Sequence, residues 1–256
     1  MSDILKFKIN SLEDFYSPVE ERSVYFGSNA DAPIYTPEYK SLVNPDTGNL
    51  ICVQSDTYRL VRNKDLIERL LDTIEKTNVP YTIDNSHSFC SPRRMKLALT
   101  FPDLEFEDDE SKSKVQLHIH NSYDSSEGIR IIWGAIRMIC TNGMVLGHGI
   151  EKLYRKHTQG FNFDYVKNQM DMIYSKLPEI ADRIKLLEQM AMPEHVFKSI
   201  EKGLGQTITK SCGVENLIDK ASMWQVYNIL SYYISHNISL QMRSSYQMRM
   251  SKIFNF

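Results

Sequence analysis

The hydrophobic pattern of the chain changes period near residue 160. Before that point apolar and polar residues alternate in short runs; after it apolar residues recur every three or four positions. Tyr39–Val43 and Leu50–Gln54 flank Asn44-Pro45-Asp46-Thr47-Gly48-Asn49. Pro sets φ early in such a turn and Gly accepts a positive φ late in it, so the segment predicts a β-hairpin. Asn63 is the expected N-cap of a helix whose apolar face is Leu66, Ile67, Leu70, Leu71 and Ile74, with Pro80 beyond its end. Strands then return. Met95, Leu97 and Leu99 alternate with Lys96 on the other face. Val115, Leu117 and Ile119 alternate with Gln116, His118 and His120, and Ile129–Trp133 runs on towards Met138. Between the first two of these, Asp103–Glu110 reads as an acidic loop. The first forty residues, with Pro18, Pro33 and Pro37, read as an irregular arm holding one short strand at Ser23–Phe26.

In the second half, Val166, Met170, Ile173, Leu177, Ile180, Ile184, Leu187 and Ala191 form a heptad-like stripe suited to helix pairing. It is the candidate interface for a homo-oligomer through helices 163–191. Pro178 lies inside the stripe and predicts a break near Leu177. Pro193 opens the next helix and Gly203 or Gly205 closes it; a third holds Met223, Val226, Tyr227, Leu230 and Ile234, and a fourth Leu240–Phe254. The expectation is an α+β fold. Residues 1–150 form a strand-rich domain with a mixed or antiparallel sheet and one main helix. Residues 151–256 form a helical region, packed with the first as one unit or serving assembly.

A chain of 256 residues, 42% hydrophobic, can bury a sizeable core. It has no apolar run long enough for a bilayer and no apolar signal core at its start, so the expected place is the cytoplasm, with no membrane partner. Cys52, Cys90, Cys140 and Cys212 have neither metal-ligand nor redox spacing and read as packing residues. The net charge of −2 hides a polarity: residues 1–128 hold 14 Lys+Arg against 22 Asp+Glu, a balance of −8, and residues 129–256 hold 16 against 10, or +6. Either one half meets an anion or the two halves complement each other.

No glycine-rich phosphate loop, nucleophile elbow or zinc pattern is present, and no catalytic residue or cofactor is assigned. His118 and His120 project from one strand face, and Asp124 follows as an oxygen donor. They are weak metal candidates, since a site needs three or four ligands, and a polar face that meets solvent is the plainer account. His87 and Cys90 are close in sequence but show no nucleophile pattern. The run Cys140–Gly149 reads as a chain reversal or as a backbone nest for an anion. After Asp219 no acidic residue occurs. Arg243, Arg249 and Lys252 are candidates for phosphate contacts, and Tyr232, Tyr233 and Tyr246 for base stacking. Arg93 and Arg94 would extend the same surface. The competing account places the aromatics in a helix core and the cations on its solvated face.

Three stretches resemble one family. Ile136-Arg137-Met138-Ile139-Cys140-Thr141-Asn142-Gly143 is similar to the central signature of the uncharacterised phage/plasmid-like proteins (domain of unknown function 932). There Arg137, Cys140, Asn142 and Gly143 are the motif positions. Asn121–Ser126 before Ile129-Arg130 resembles its polar turn, with Tyr123 where His is usual. Tyr227–His236 resembles its late helix, in which Asn228 and His236 are the recurring residues. Tyr58–Asn63 fits an early segment. The resemblance implies an origin in phages, prophages or plasmids, and no activity. Three functions are therefore weighed. The first is nucleic-acid binding, single-stranded DNA foremost, in phage or plasmid recombination or annealing. The second is an oligomeric protein-interaction or anti-defence protein, and the third a metal-dependent enzyme.

Overall fold

A computed structural model of the chain describes residues 9–27, 33–107, 112–137, 143–145, 153–155 and 164–255. The N-terminal half carries two antiparallel sheets. The smaller has the order β1–β2–β3, from Glu20–Phe26, Ile34–Val43 and Leu50–Ser55. The larger is built on β6 (Arg94–Glu107), β7 (Lys112–Ser122) and β8 (Ile129–Arg137), which pair in sequence order. Short strands border it: β4 (Thr82–Ile83) and β5 (Phe89–Cys90) on β6, β9 (Gly143–Val145) and β10 (Leu153–Arg155) on β8. Helix α1 (Asn63–Glu75) belongs to this half. The C-terminal half is helical: α2 (Asp164–Gln189), α3 (Glu194–Leu204), α4 (Gln206–Ser211), α5 (Met223–Asn237) and α6 (Leu240–Phe254). The fold is α+β.

Local chemistry accounts for most boundaries. In the β2–β3 turn the Asn44 side-chain oxygen accepts from the N–H groups of Asp46 and Thr47, and Gly48 takes φ +71°. Pro193 caps α3 and Gly205, at φ +92°, ends it. A capping box starts α5: Ser222 Oγ accepts from Gln225 N–H, and Gln225 Oε1 from Ser222 N–H.

Four expectations need correction. The N-terminal arm is more regular than its prolines suggest, because β1 and β2 pair over Glu20–Phe26 and Ile34–Val43. Asn63 is the first residue of α1 and not its cap. Arg62 holds the N-cap position without a side-chain capping bond, and the Asn63 side chain accepts from Asn121 Nδ2 at 2.8 Å. Asp103–Glu107 continues strand β6, since Glu105 and Glu107 stand opposite Lys114 and Lys112, and Lys112 pairs with Glu105 at 2.8 Å. Finally, α2 runs through Pro178 without a break. A proline inside a helix costs about 3 kcal/mol. Burial of Ile184 and Leu187 alone contributes about 3–6 kcal/mol, and Pro178 faces solvent.

One apolar core serves both halves. Leu97, Leu99 and Phe101 of β6, Val115, Leu117 and Ile119 of β7, and Ile131 and Trp133 of β8 line one face of the large sheet. Helix α1 packs there through Leu66, Ile67, Leu70, Leu71 and Ile74, the face foreseen from their spacing. The same cluster continues into Ile184, Leu187, Leu230, Ile234 and Phe254 of the helices. Leu177 and Ile180 also pack on it. This part of the heptad-like stripe is thus filled from within the chain and is not an open pairing face. The side chains of Val166, Met170 and Ile173 lie outside the described residues. A second, small cluster of Val19, Leu42, Ile51, Tyr58 and Tyr123 joins the small sheet to the end of β7.

Candidate functional site

The other face of the large sheet is polar and buried. The register sets Lys96 of β6, His120 of β7 and Arg130 of β8 in one row. Ala98, His118 and Ile132 form the next row, and Thr100, Gln116 and Gly134 the third. A solvated face was expected. Instead Lys96 is 1% exposed, and Gln116, His118 and His120 are buried as well. In the sequence Lys96 reads only as the alternate residue of an apolar strand. The signal available for it was Ala98, an apolar neighbour on the same face.

A hydrogen-bond chain orders these groups. Asp84, in the turn between β4 and β5, accepts from His87 Nδ1 at 2.9 Å, from Ser86 Oγ at 2.6 Å and from Gln116 Nε2 at 2.6 Å. Gln116 Nε2 also donates to Thr100 Oγ1 at 2.9 Å, so its Oε1 is the acceptor that meets His118 Nε2 at 3.0 Å. That bond makes His118 the Nε2–H tautomer and leaves Nδ1 a bare acceptor, which has no partner among the described residues. His120 turns Nδ1 towards Glu127 at 3.6 Å, and its buried Nε2 likewise has no partner among the described residues.

Burial dominates the proton equilibria. It is the main reason the Lys96 ammonium falls to about 8, and the Arg243 guanidinium lowers it further against the opposing pull of Asp84 and Glu127. Burial, followed by the charges of Lys96, His120 and His87, holds His118 well below the ordinary imidazole value. It lowers His120 as well, against Glu127. For Asp84 burial favours the neutral acid. The bonds and charge of His87, with Ser86 and Gln116, outweigh it and hold the carboxyl far below its usual range.

The proposed metal trio is not assembled. Asp124 pairs with Arg94 Nε at 3.3 Å and accepts from Ser126 N–H, and among the described residues no three His, Cys, Asp or Glu stand together as ligands. His87 is engaged by Asp84, and burial pushes the Cys90 thiol up to about 12, so these two do not make an activated nucleophile. Arg93 is exposed and lines a cleft of about 850 Å³ with Glu13, Asp14, Asn44 and Asn49. Asp14 in that cleft already accepts from the N–H groups of Asn10 and Ser11. Arg93 and Arg94 therefore diverge in use: one faces a cleft, the other an internal ion pair.

The C-terminal candidates separate in the same way. Tyr232 is 53% exposed, and its ring lies 4.4 Å from that of His236 between centroids, tilted by 39°. With Gln225 and Ile229 they form the solvent-facing stripe of α5. Tyr233 and Tyr246 are partly buried against the core. The Arg243 side chain is partly buried, and its Nε donates to Ile238 O at 2.7 Å; Arg249 Nη1 donates to Gly203 O at 3.1 Å while the guanidinium lies 5.2 Å over the Tyr246 ring. Lys252 is exposed. Trp224 and Tyr227 are core residues, stacked at 5.1 Å. The candidates thus differ in burial: Arg243, Tyr233 and Tyr246 are partly buried, whereas Tyr232, His236, Arg249 and Lys252 are at the surface.

The family-motif residues are spread out. Arg137 ends β8 and Gly143 starts β9, one register step apart on the two strands; Cys140 and Asn142, and the rest of the run Cys140–Gly149 beyond β9, lie outside the described residues. The polar turn is a tie-point: Tyr123 Oη accepts from Asn63 N–H at 3.0 Å, Tyr58 Oη donates to Ser122 O, and Cys52 Sγ donates to Tyr123 O. Asn228 and His236 both lie on α5.

Among the described residues no helix is long and apolar enough to cross a membrane. Comparison with known families matches residues 51–249 to a domain of unknown function (DUF932), and the chain belongs to that family. No curated protein and no solved structure matches it.

Proposed function

We propose that this member of the family binds single-stranded nucleic acid, without reading its sequence, on the outer surface of α5 and α6. The observation that carries the reading is the exposed Tyr232–His236 ring pair on a helix pair that contains no acidic residue. Aromatic faces take bases of any identity, and cations along the same surface neutralise phosphates. Tyr232 is the stacking platform, and Arg249 and Lys252 are the phosphate contacts. Arg243 and Tyr233 position this surface from beneath it. On this reading the activity serves the DNA metabolism of mobile elements, as annealing or protection during recombination in a host cytoplasm; the resemblance to phage/plasmid-like proteins supports it. Titration of labelled single- and double-stranded DNA across a salt series tests it. The expected result is a preference for single strands and an affinity that falls steeply with salt. Absence of binding at low salt would remove the proposal.

A second reading rests on a different observation. At the tip of the β1–β2 ribbon, Tyr25, Phe26, Ile34 and Tyr35 are each more than half exposed, with Tyr25 and Tyr35 rings 5.6 Å apart. Its cations are neutralised locally, Arg22 by Glu20 and Lys40 by Glu21. Such a surface suits a protein partner better than a phosphate backbone. Light scattering on the intact chain and on Tyr35→Lys distinguishes an oligomer built through the ribbon from a monomer.

A further inference from the structure

We infer that the polar face of the large sheet holds a binding site for a compact phosphate-type oxyanion, centred on Lys96 and bordered by His118 and His120. The starting point is a missing counter-charge. A buried ammonium is tolerated when it is paired. Lys96 is 1% exposed, yet among the described residues no carboxylate lies within ion-pairing distance of it. The two carboxylates in its surroundings are committed elsewhere. Asp84 is held by His87, Ser86 and Gln116, and Glu127 lies between His120 and Arg130. Arg243, whose charge also acts on Lys96, donates to a backbone carbonyl, so it brings a third cation to the face and no anion.

An ammonium without a counter-charge and two imidazole nitrogens without partners among the described residues define the ligand's chemistry. Lys96 offers N–H donors. His118 Nδ1 and His120 Nε2 are buried acceptors without donors. One molecule that both accepts and donates answers all three: dihydrogen phosphate accepts hydrogen bonds from the ammonium and gives one O–H to each imidazole, whereas a protonated phosphate monoester, with a single O–H, serves the ammonium and one imidazole. A halide or an ionised carboxylate answers only the lysine. A metal cation would find two nitrogen ligands but stand beside an ammonium that repels it. The side chains of Glu127 and Arg130, which border the face, are 17% and 30% exposed.

Thermal melts of the full chain at constant ionic strength test this, with sodium chloride as the baseline and orthophosphate and sulfate as probes. Orthophosphate should raise Tm by roughly 5–10 °C at a hundredfold excess over its dissociation constant. Sulfate, which carries no proton at neutral pH, should raise it less. Lys96→Met should abolish both shifts. His118→Gln should weaken the phosphate response about tenfold, the worth of one lost hydrogen bond to an ionic partner, and spare the sulfate response. A single-stranded oligonucleotide with and without a 5′-phosphate separates the two sources of the group. A larger shift with the phosphorylated strand identifies a strand end as the ligand, and a shift with orthophosphate alone identifies the free ion. If neither orthophosphate nor the phosphorylated strand exceeds the chloride baseline, water fills the site and the inference fails. It fails equally if Lys96→Met responds like the wild type, or, should that variant not fold, if His118→Gln keeps the full phosphate affinity.

Discussion

Lys96 stands directly opposite His120 in the β6–β7 register, and both side chains are buried. Two groups that can each carry a positive charge are thus held side by side away from water. Burial answers the conflict by depressing both proton affinities. Of the carboxylates around them, Asp84 is tied to His87 and Glu127 to His120 and Arg130, so neither is an ion-pair partner of Lys96.

Lys96→Met should therefore stabilise the unliganded protein by about 1–4 kcal/mol at pH 7, because an apolar chain of similar length replaces an unpaired buried charge. The sign of its pH dependence follows from the depressed folded value. The folded lysine loses its proton near pH 8 and the unfolded one near 10.5, so in that window the unfolded state binds more protons and wild-type stability rises with pH. The advantage of the variant should shrink across the same window. Urea denaturation at pH 7, 9 and 10.5 measures it, and a variant less stable than wild type at pH 7 would refute the account.

Asp84→Asn should cost about 2–3 kcal/mol at pH 7, since it removes the charged acceptor of His87, Ser86 and Gln116. Asp84 is depressed in the folded state, so its contribution is present above its unfolded value of 3.8 and is lost as pH falls below it. The gap between variant and wild type should close in that acid range. His118, also depressed, adds a loss of stability that begins as pH falls through 6.5, in both proteins. Thermal melts from pH 7 down to pH 2 follow the imidazole window first and then the onset of the carboxylate one.

Tyr232→Ala should leave stability within about 0.5 kcal/mol, because the ring is on the surface. It should weaken binding to single-stranded DNA by about tenfold, the loss of one stacked base. Arg243→Ala should do the reverse. It removes the bond to Ile238 O and a half-buried aliphatic stem, with a stability cost of about 1–2 kcal/mol. Its direct effect on the salt dependence of binding should be small. Paired denaturation and binding curves for the two variants separate a contact from a support.

Tyr123→Phe should destabilise by about 1–2 kcal/mol, because the Asn63 N–H at the start of α1 loses its acceptor in a buried setting. Chemical denaturation checks the size. An unchanged midpoint would mean that the turn does not anchor α1.

Much of the fold was legible along the chain. The faces of α1 and of the three long strands follow from period and alternation, and Pro193, Gly205 and the Asn44–Asn49 turn mark their boundaries by backbone preference. Pro178 misled because a local cost of a few kcal/mol is outweighed by burial on either side of it. The tail was half legible. Its lack of acids is a property of the sequence, but whether Tyr232 or Tyr233 meets solvent depends on how α5 is rotated against the core.

By itself the sequence determined the change of period near residue 160, the strand and helix faces, the charge polarity and the short runs that tie the chain to its family. These are local or compositional, and local sterics and spacing suffice to set them. Only the tertiary structure decided that the second face of the large sheet is buried. It alone gathered Asp84, Lys96, Gln116, His118, His120 and Glu127 on that face from separate strands and turns. Alternation tells which residues share a side of a strand. It cannot tell whether that side meets water, because the answer lies in what packs over it from elsewhere in the chain.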